Sequence, residues 1–412
     1  MGNGVRLSHA IEEYDSMGIR LAQPTGRFAL TNGHIILPST IVTGQAVVVE
    51  DGKILGLTVP GAMSVDIEQI DVGGRYISPG LIDIHTHGTL GHTFNEPTTE
   101  AFSIITQENA RRGVTSLLAT VSTAPIPDMV QCLEYSRQWM CERHAGSQVL
   151  GVHLEGPYFS HAQKGAQDPK NLRIPDDGTL DALLEHHDVL RIVSYAPELP
   201  GALGLTARLA QLGIVPAAGH SAARDQDVLE AIKFGLRHII HMWSGQSSTV
   251  REGPWRRPGL LEATLVFDGL TAEMIADNRH LPPTLMKLAY KCLGADRLCA
   301  VSDATNGAGL PEGTHFRMGE MEYDVHDGVG MLLDRTSFAG STTLLNQMVR
   351  ILIEIVAISP AEAIRMSSLT PARVIGLDDR KGSLESGKDA DISIFEEDFA
   401  AWRTMIRGQW ST

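Results

Sequence analysis

The chain has 412 residues, of which 34 are Lys or Arg and 49 are Asp or Glu, so its formal net charge at pH 7 is −15. With 43% hydrophobic and 20% charged residues it can bury a large core, which excludes disordered, collagen-like and coiled-coil proteins. The acidic balance argues against nucleic acid and anionic membrane surfaces as partners, because both require a positively charged face.

Two further features indicate where the protein works. No run reaches the roughly 18 continuous apolar residues that a membrane span requires. The four cysteines, Cys132, Cys141, Cys292 and Cys299, form no CxxC pair, and such sparse use is typical of a reducing compartment. The sequence therefore predicts a soluble, cytoplasmic protein without a membrane partner.

The two chain ends have a similar pattern. Residues 1–21 are a polar lead-in without recognisable chemistry, whereas residues 22–78 contain short β-type runs separated by turn residues, with a hairpin signal at Asp51-Gly52. Residues 361–412 begin with a terminal helix and end with a second β-rich stretch, GSLESGKDADISIF. We expect this stretch to pair with the N-terminal strands, so that both ends form one small β-sandwich.

Between the ends, residues 79–360 alternate short apolar runs with helical stretches, which is typical of β/α units around a parallel sheet. Eight runs have this character: LIDIH (81–85), VTSLLATV (114–121), QVLGVHLE (148–155), LRIVSYA (190–196), IVPAAGH (214–220), HIIHM (238–242), AEMIAD (272–277) and LCAVSD (298–303). Eight strands close a (β/α)₈ barrel, so the predicted fold class is α/β, a TIM-type barrel with a small sandwich.

Metal-ligating and titratable residues follow these runs where each strand would end. In a barrel of this type, the C-terminal strand ends and their loops build the active site, so these side chains are expected to converge. The residues are His85 and His87 after run one, Glu155 after run three, His220, His241, His280 and Asp303 after runs five to eight.

The first three of these residues provide a carboxylate and a pair of imidazoles. His85 and His87 are two residues apart, so in an extended strand they face the same side and can reach one ion. Glu155 precedes Gly156-Pro157 and could bind one metal or bridge two. Taken singly, an incidental surface pair and a solvated glutamate are the alternatives.

The remaining strand ends supply two more imidazoles and an acid. His220 and His241, with one carboxylate, would give three protein ligands and an open position, the pattern of catalytic zinc. Asp303 is the candidate general acid and base, since a divalent ion lowers the pKa of water and a nearby carboxylate can take the proton. The alternative for Asp303 is an aspartate that caps a turn.

Several neighbouring residues receive weaker predictions. His153 is expected deeper on the face of Glu155, and His238 is expected to point away from His241 toward the helices as a structural residue. Arg251, Arg256 and Arg257 in VREGPWRRPGL are candidate phosphate contacts, with an ordinary charged loop as the alternative. Lys164 and Gln167 are further candidate contacts, whereas Ser221 and Ser341 lack the context of a nucleophile.

Together these stretches resemble the amidohydrolase superfamily and, within it, the N-acetylglucosamine-6-phosphate deacetylases. The matching segments are PGLIDIHTHG, GVHLEGPYFS with KGAQDP, AAGHSAA, IHMWSG with RRPGL, IADNRHLPP, VSDATNGAG, FAGS and the closing GSLESGKDADI. The resemblance implies a barrel with a sandwich from both termini, hydrolysis of the 2-acetamido group of an amino-sugar phosphate, and a homodimer.

The resemblance also assigns roles to residues. Glu155, His220 and His241 would hold the main metal, His85 and His87 would support a second one in some members, and Asp303 would be the catalytic aspartate. Dihydroorotase-like relatives bridge two metals with a carboxylated lysine at strand four. This chain has no lysine in RIVSYAPE, which favours the deacetylase arrangement with Glu155.

Three departures from the family pattern fall on substrate contacts. Ser244-Gly245 stands where an Asn-Ala pair is common, Gln167 where a histidine is common, and Asp277-Asn278-Arg279-His280 replaces an Asp-Gly-x-His pattern. The metal ligands are spared. The reaction type is therefore predicted more firmly than the substrate.

The sequence thus predicts metal-dependent hydrolysis of an N-acetyl amino-sugar phosphate, N-acetylglucosamine 6-phosphate, to acetate and the free amine. The cofactor would be one or two divalent ions, zinc in the first place and iron or another transition metal as alternatives. His280 and Gln167 would orient the sugar or the carbonyl, Ser244 and Gly245 would help bind it, and Arg256 or Arg257 would meet the phosphate across a dimer interface.

Two alternatives remain open from the sequence. The enzyme could deacetylate another N-acylated compound, such as N-acetylgalactosamine 6-phosphate or an unphosphorylated N-acetyl sugar. The chain could also be a non-catalytic barrel that binds sugar phosphates, but that hypothesis predicts a decayed ligand set, and all six ligand and acid positions are filled.

Overall fold

A computed structural model describes residues 23–24, 26–319 and 321–411. The lead-in predicted for residues 1–21 lies outside the described residues. The first strands are β1 (Arg27–Thr31), β2 (His34–Ile36), β3 (Ile41–Val42), β4 (Ala46–Glu50), β5 (Lys53–Thr58), β6 (Glu68–Asp71) and β7 (Tyr76–Pro79).

The central part of the chain alternates strands and helices. Its elements are β8 (Leu81–Thr86), β9 (Gly88–Thr89), β10 (His92–Thr93), α1 (Thr99–Arg111), β11 (Val114–Ser122), α2 (Ile126–Met140), β12 (Gln148–Glu155), α3 (Leu180–Leu184), β13 (Leu190–Tyr195), α4 (Ala202–Gln211), β14 (Val215–Ala218), α5 (Asp225–Lys233), β15 (His238–Ile239), β16 (Val250–Glu252), β17 (Trp255–Arg257), α6 (Leu260–Val266), β18 (Thr271–Ile275), α7 (Pro283–Leu293) and β19 (Leu298–Val301).

The last part begins with four more strands and ends in a short sheet segment. Its elements are β20 (His315–Met318), β21 (Met321–His326), β22 (Val329–Leu332), β23 (Phe338–Ser341), α8 (Leu345–Glu354), α9 (Pro360–Met366), α10 (Leu369–Val374), β24 (Ile392–Phe395), β25 (Ala401–Ile406) and β26 (Gln409–Trp410). None of the helices in the described ranges is long and apolar enough to cross a membrane.

The eight predicted barrel strands are confirmed. They form one parallel sheet in the order β19-β18-β15-β14-β13-β12-β11-β8. The amide of Asp303, just past β19, donates to the carbonyl of His85 in β8 at 2.8 Å, which brings the last strand beside the first. Strands such as β11, VTSLLATVS, are buried almost throughout because helices cover the outer face of the barrel.

The two chain ends form two sheets that share a core. One sheet has the order β5-β4-β1-β6 and the other β26-β25-β24-β7-β2-β3. β24 pairs antiparallel with β7, which confirms that the C-terminal stretch joins the N-terminal strands. The predicted hairpin turn joins β4 to β5, with Asp51 and Gly52 at φ 49° and 76°, as a type I′ turn requires. Phe28, Val47 and Ile392 are among the side chains buried between the sheets.

The largest sheet that was not predicted from the sequence follows β19. β20 to β23 form a four-stranded antiparallel sheet inserted between β19 and α8, and we call it the insert sheet. Its own small core contains Phe316, Tyr323 and Ala339. The Tyr323 hydroxyl donates to the carbonyl of Ala166 at 3.0 Å, so the insert sheet is fixed to the loop that follows β12.

Candidate active site

A cavity of about 330 Å³ opens at the C-terminal ends of the barrel strands. Its lining contains nine residues that the sequence singled out, and the insert sheet and its approach form one wall through Met318, Ser337, Phe338, Ala339 and Gly340. The nine are His87, Glu155, Gln167, His220, His241, Ser244, Gly245, His280 and Asp303. His85 is fully buried next to this lining.

Three of the predicted chemical residues have an unusual backbone conformation. His220, His241 and Asp303 have φ angles of 44°, 21° and 45°, a region that residues other than glycine rarely adopt. Each lies two residues beyond the end of a barrel strand, β14, β15 or β19. Such strained residues are concentrated at functional sites. They persist only where contacts with the surrounding fold hold the backbone in place.

Glu155 lies at the centre of the histidines. Its Oε1 is 3.1 Å from Nε2 of His241, 3.3 Å from Nε2 of His220 and 3.5 Å from Nε2 of His85. Its other oxygen, Oε2, is 3.5 Å from Nε2 of His87 and accepts a hydrogen bond from Nε2 of Gln167 at 2.7 Å. One carboxylate therefore faces all four predicted imidazole ligands.

The histidines are oriented from their far sides. Nδ1 of His220 lies 2.9 Å from the carbonyl of Gln163, and Nδ1 of His87 lies 2.8 Å from the hydroxyl of Ser122. Nδ1 of His85 lies 2.7 Å from Oε2 of Glu273. Partners at Nδ1 leave Nε2 free to act as a ligand, which is the usual support of metal-binding histidines.

Asp303 completes a second group of donors. Its Oδ1 lies 3.2 Å from Nε2 of His87 and 3.5 Å from Nε2 of His85. The groups His85, Glu155, His241 and His85, His87, Asp303 each bring their ligand atoms within 4.8 Å of one another. His85 belongs to both groups, so the two groups of donors adjoin.

The carboxylates of this cluster are held in the charged form. Burial alone raises the pKa of Glu155, but hydrogen bonds from His220 and His241 more than offset it and hold the pKa well below its usual range. Burial likewise raises the pKa of Asp303, but the hydrogen bond with His87 and the nearby charges of the histidines together outweigh it, so the pKa is lowered. Two buried negative charges therefore attract positive charge to this point.

These donors fit a divalent transition metal. Imidazole nitrogens with one carboxylate are the ligand set of catalytic zinc and also suit iron. Nε2 of His85 is buried and, among the described residues, has no hydrogen-bond partner, although it points at Glu155 and Asp303. A buried ring nitrogen that faces two carboxylates without a hydrogen bond to either is explained by a cation between them.

Glu273 is a buried carboxylate that sequence reasoning missed. Besides His85, it contacts Nε2 of His238 at 3.1 Å through Oε1, and its Oε2 accepts from the backbone amide of His241 at 3.2 Å. Burial lowers the pKa of His85, but Glu273, Glu155 and Asp303 together outweigh burial and raise this pKa well above its ordinary value. A glutamate within the otherwise apolar residues 272–276, AEMIA, was the signal that an acid is buried here.

The predictions for His238 and His153 have different outcomes. His238 does not point toward the helices as predicted, because it shares Glu273 with His85 and therefore lies inside the barrel. The alternation rule failed because β15 ends at Ile239, before His241. His153 lies deep in the barrel as expected, with Nε2 2.6 Å from the hydroxyl of Ser194, and burial lowers its pKa to about 3.

The arginines of the predicted phosphate loop do not reach the cavity of their own chain. Arg251, Arg256 and Arg257 lie on the exposed hairpin of β16 and β17, which we call the arginine hairpin. Arg257 pairs with Glu252 at 3.1 Å, and Arg256 donates to the carbonyl of Pro254. Among the residues described around the cavity there is no lysine or arginine, and Lys164 donates to the carbonyl of Gly165.

The chain is similar in sequence to known proteins over most of its length. Residues 76–411 match the amidohydrolase family. The N-acetylgalactosamine-6-phosphate deacetylase of Escherichia coli is 35% identical over 81% of this chain and 87% of its own length. The N-acetylglucosamine-6-phosphate deacetylase of Haemophilus influenzae is 31% identical over 93% of this chain and 99% of its own length.

Solved structures give the same result. The N-acetylglucosamine-6-phosphate deacetylase of Pasteurella multocida superimposes with a TM-score of 0.88 at 28% identity, covering 93% of this chain and 99% of that one. A variant of the Mycobacterium smegmatis enzyme in complex with N-acetyl-D-glucosamine-6-phosphate gives a TM-score of 0.86 at 26% identity, covering 94% and 100%. With its barrel, its clustered ligands and these relatives, the chain belongs to the amidohydrolase family.

Proposed function

We propose that the protein hydrolyses the acetamido group of N-acetylglucosamine 6-phosphate and releases acetate and glucosamine 6-phosphate. The observation that carries the proposal is the cluster of Glu155, Asp303 and the predicted imidazoles around one cavity of about 330 Å³. The deacetylases among its relatives, which it matches over most of their length, support the choice of reaction.

The cofactor in this proposal is zinc, with iron or another transition metal as the alternative. Glu155, His220 and His241 would hold the main ion, and His85 and His87 would support a second one. A divalent ion supplies a Lewis acid, which lowers the pKa of water and polarises a carbonyl. Elemental analysis of the purified protein gives the number of ions bound per chain.

Asp303 would move the proton in this reaction. Its carboxylate accepts a proton from the attacking water as the oxygen bonds to the acetamide carbon. When the carbon–nitrogen bond breaks, the same carboxyl returns the proton to the departing amine. The charged state of Asp303, supported by the hydrogen bond with His87, suits the first of these steps.

The substrate would be held by the remaining residues of the cavity. We propose that Gln167 and His280 orient the carbonyl or the sugar and that Ser244 and Gly245 contact its polar groups. Gln167 already donates to Oε2 of Glu155 at 2.7 Å, so its amide lies beside the reacting centre. The ring of His280 packs edge-on against Phe338, with ring centres 4.9 Å apart.

The phosphate would require positive charge from a second chain. No lysine or arginine side chain lines the described cavity, whereas the arginine hairpin extends into solvent with Trp255 67% exposed. A large exposed aromatic side chain is typical of an interface. We therefore propose a homodimer in which Arg256 of the partner subunit or Arg257 of the partner subunit meets the phosphate.

The cellular setting and the division of the chain are part of the same proposal. Cys132, Cys141, Cys292 and Cys299 are unpaired with one another, which suits the reducing cytoplasm. We propose that residues 22–78 and 361–412 form the sandwich domain and residues 79–360 the barrel domain. Neither point affects the reaction.

A second substrate is favoured by one observation. The relative at 35% identity acts, by its name, on N-acetylgalactosamine 6-phosphate, which differs from the glucosamine compound only in the configuration at C4. Two of the three departures of this chain, at Gln167 and at Ser244-Gly245, also line the cavity. N-acetylgalactosamine 6-phosphate is therefore the second candidate substrate.

The test is acetate release from a panel of N-acetyl hexosamines with and without a 6-phosphate, with metal content measured on the same sample. We expect turnover of N-acetylglucosamine 6-phosphate with the highest kcat/KM. A higher kcat/KM for the galactosamine compound would support the second candidate. Absence of acetate from every phosphorylated substrate, with metal bound, would overturn the proposal.

A further inference from the structure

Ser341 ends the FAGS segment and has no role in the reaction described above. It is the last residue of β23 in the insert sheet and is fully buried. Its hydroxyl donates to Oδ2 of Asp277 at 2.9 Å and accepts from the amide of Thr343 at 3.0 Å. The hydroxyl proton is therefore committed to a carboxylate, which excludes the serine–histidine contact of a nucleophile.

Asp277 receives Ser341 and His280 on the same oxygen. Nδ1 of His280 lies 2.7 Å from Oδ2 of Asp277, while the amides of Arg279 and His280 both donate to Oδ1 at 2.8 Å. The hydrogen bonds with His280 hold the pKa of Asp277 below its usual range, although burial raises it. With four donors, this carboxylate has one fixed orientation.

The fixed carboxylate determines how His280 meets the cavity. Since Asp277 accepts at Nδ1, the neutral ring carries its proton there and leaves Nε2 as a hydrogen-bond acceptor. His280 lines the cavity, and its side chain is 4% exposed, so the ring cannot turn freely. A hydroxyl of the sugar is the donor that such an acceptor would bind.

The backbone of Ser341 is joined to the proton-transfer residue. Its amide donates to the carbonyl of Asp303 at 2.8 Å, and its carbonyl accepts from the amide of Thr305 at 3.1 Å. The serine thus lies between Asp303 on one side and the Asp277–His280 pair on the other. Its side chain and backbone together set the distance between the group that holds the sugar and the group that moves the proton.

We propose that Ser341 is a positioning residue for the deacetylation: it fixes Asp277 so that His280 presents Nε2 to one sugar hydroxyl at a set distance from Asp303. This inference rests on the proposed function. It assigns to Ser341 and Asp277 an effect on substrate binding through His280, without contact to the reacting atoms.

The kinetic test uses Ser341→Ala with Ser136→Ala as its matched control. Ser136 is also fully buried, and its hydroxyl donates to the carbonyl of Cys132 within α2, far from the cavity. Removing the hydroxyl of Ser341 should raise KM about tenfold with kcat within about threefold of the wild type. Ser136→Ala should change neither KM nor kcat, although it loses a comparable buried hydrogen bond.

A set of monodeoxy analogues of the substrate separates positioning from general damage. The analogue that lacks the hydroxyl bound by His280 should be turned over equally by the wild type and by Ser341→Ala, because the contact is already absent. The other analogues should keep the tenfold difference in KM. An equal loss on every analogue, or an unchanged KM on the full substrate, would overturn the proposal.

A spectroscopic test does not depend on activity. In protein labelled with ¹⁵N-histidine, the signals of His280 are those that vanish in His280→Gln. The wild type should show the tautomer protonated at Nδ1, and Asp277→Asn should populate the other tautomer, because the amide of Asn can donate to Nδ1. The same tautomer in both proteins would contradict the role given to Asp277. If no deacetylation is found, this result still tests the arrangement separately from the proposed function.

Discussion

The proposed metal-ligand cluster and the cavity wall of residues 318 and 337–340, which we call the substrate wall, are built in different ways. The ligands come from the ends of barrel strands and are almost wholly buried. In three of the four histidines, Nδ1 has a polar partner that holds the ring in place. The wall comes from loops and the insert sheet, and Phe338 in it is 41% exposed. The difference leads us to expect that the barrel determines the reaction, while the additions to it determine which compound is held there.

The largest effect is expected from the acid of the cluster. Asp303→Asn should lower kcat by about 10³-fold, because the amide cannot accept the proton of water, while metal content stays unchanged. Acetate release and elemental analysis of the same sample check this. Asp268→Asn, at a side chain in full contact with solvent, is the control. Near-normal turnover of Asp303→Asn would remove this residue from the reaction.

The next effect concerns Glu155, which faces four histidines. Glu155→Gln keeps the shape of the side chain but removes the negative charge that attracts a cation, so metal affinity should fall by about 100-fold or more. Competition with a chelator, followed by elemental analysis, measures the affinity. Added metal in excess should restore part of the activity of this variant. Full metal retention would mean that the histidines alone hold the ion.

Much of the metal cluster could be predicted from the sequence because strand ends converge in a parallel barrel. Residue type and position in the eight runs were sufficient to bring His87, Glu155, His220, His241 and Asp303 to one cavity. The pairing of Glu273 with His85 could not be found this way, because the two residues are 188 positions apart and only the closed barrel joins them. Its presence depends on tertiary contacts rather than on local periodicity.

The substrate wall was less predictable for a different reason. The strands of the insert sheet have four to six residues, and the hairpin signal Asp327-Gly328 between two of them fits many loops. Both residues do adopt positive φ, 51° and 73°. The arginine hairpin was recognised as basic, but sequence alone could not indicate that its side chains leave the cavity of their own chain.

Variants of the arginine hairpin should change which substrates bind and leave the hydrolysis step unchanged. Changing both Arg256 and Arg257 to Ala should raise KM for phosphorylated substrates by about 10- to 100-fold, the value of lost charge-assisted hydrogen bonds. Unphosphorylated substrates should keep their KM. Arg224→Ala, which removes one nearby positive charge that donates to the carbonyl of Ser248, serves as the control for loss of charge outside the hairpin. Equal effects on both substrate classes would contradict a phosphate contact.

Gly245 tests whether a change on the substrate side of the cavity also affects the metal ligands. It lines the substrate side, yet an added Cβ would lie 2.6 Å from Nδ1 of His220 and 3.0 Å from the carbonyl of Gln163, and its φ is 58°. Gly245→Ala should therefore displace a metal ligand and weaken metal binding about tenfold, the usual effect of disturbing the support of a ligand. Ser244→Ala, at the adjacent position, should affect KM and leave metal affinity unchanged. A Gly245→Ala protein with normal metal affinity and raised KM would show that the loop of Gly245 moves independently of His220. Metal binding and substrate binding could then be changed separately even where the two regions are in contact.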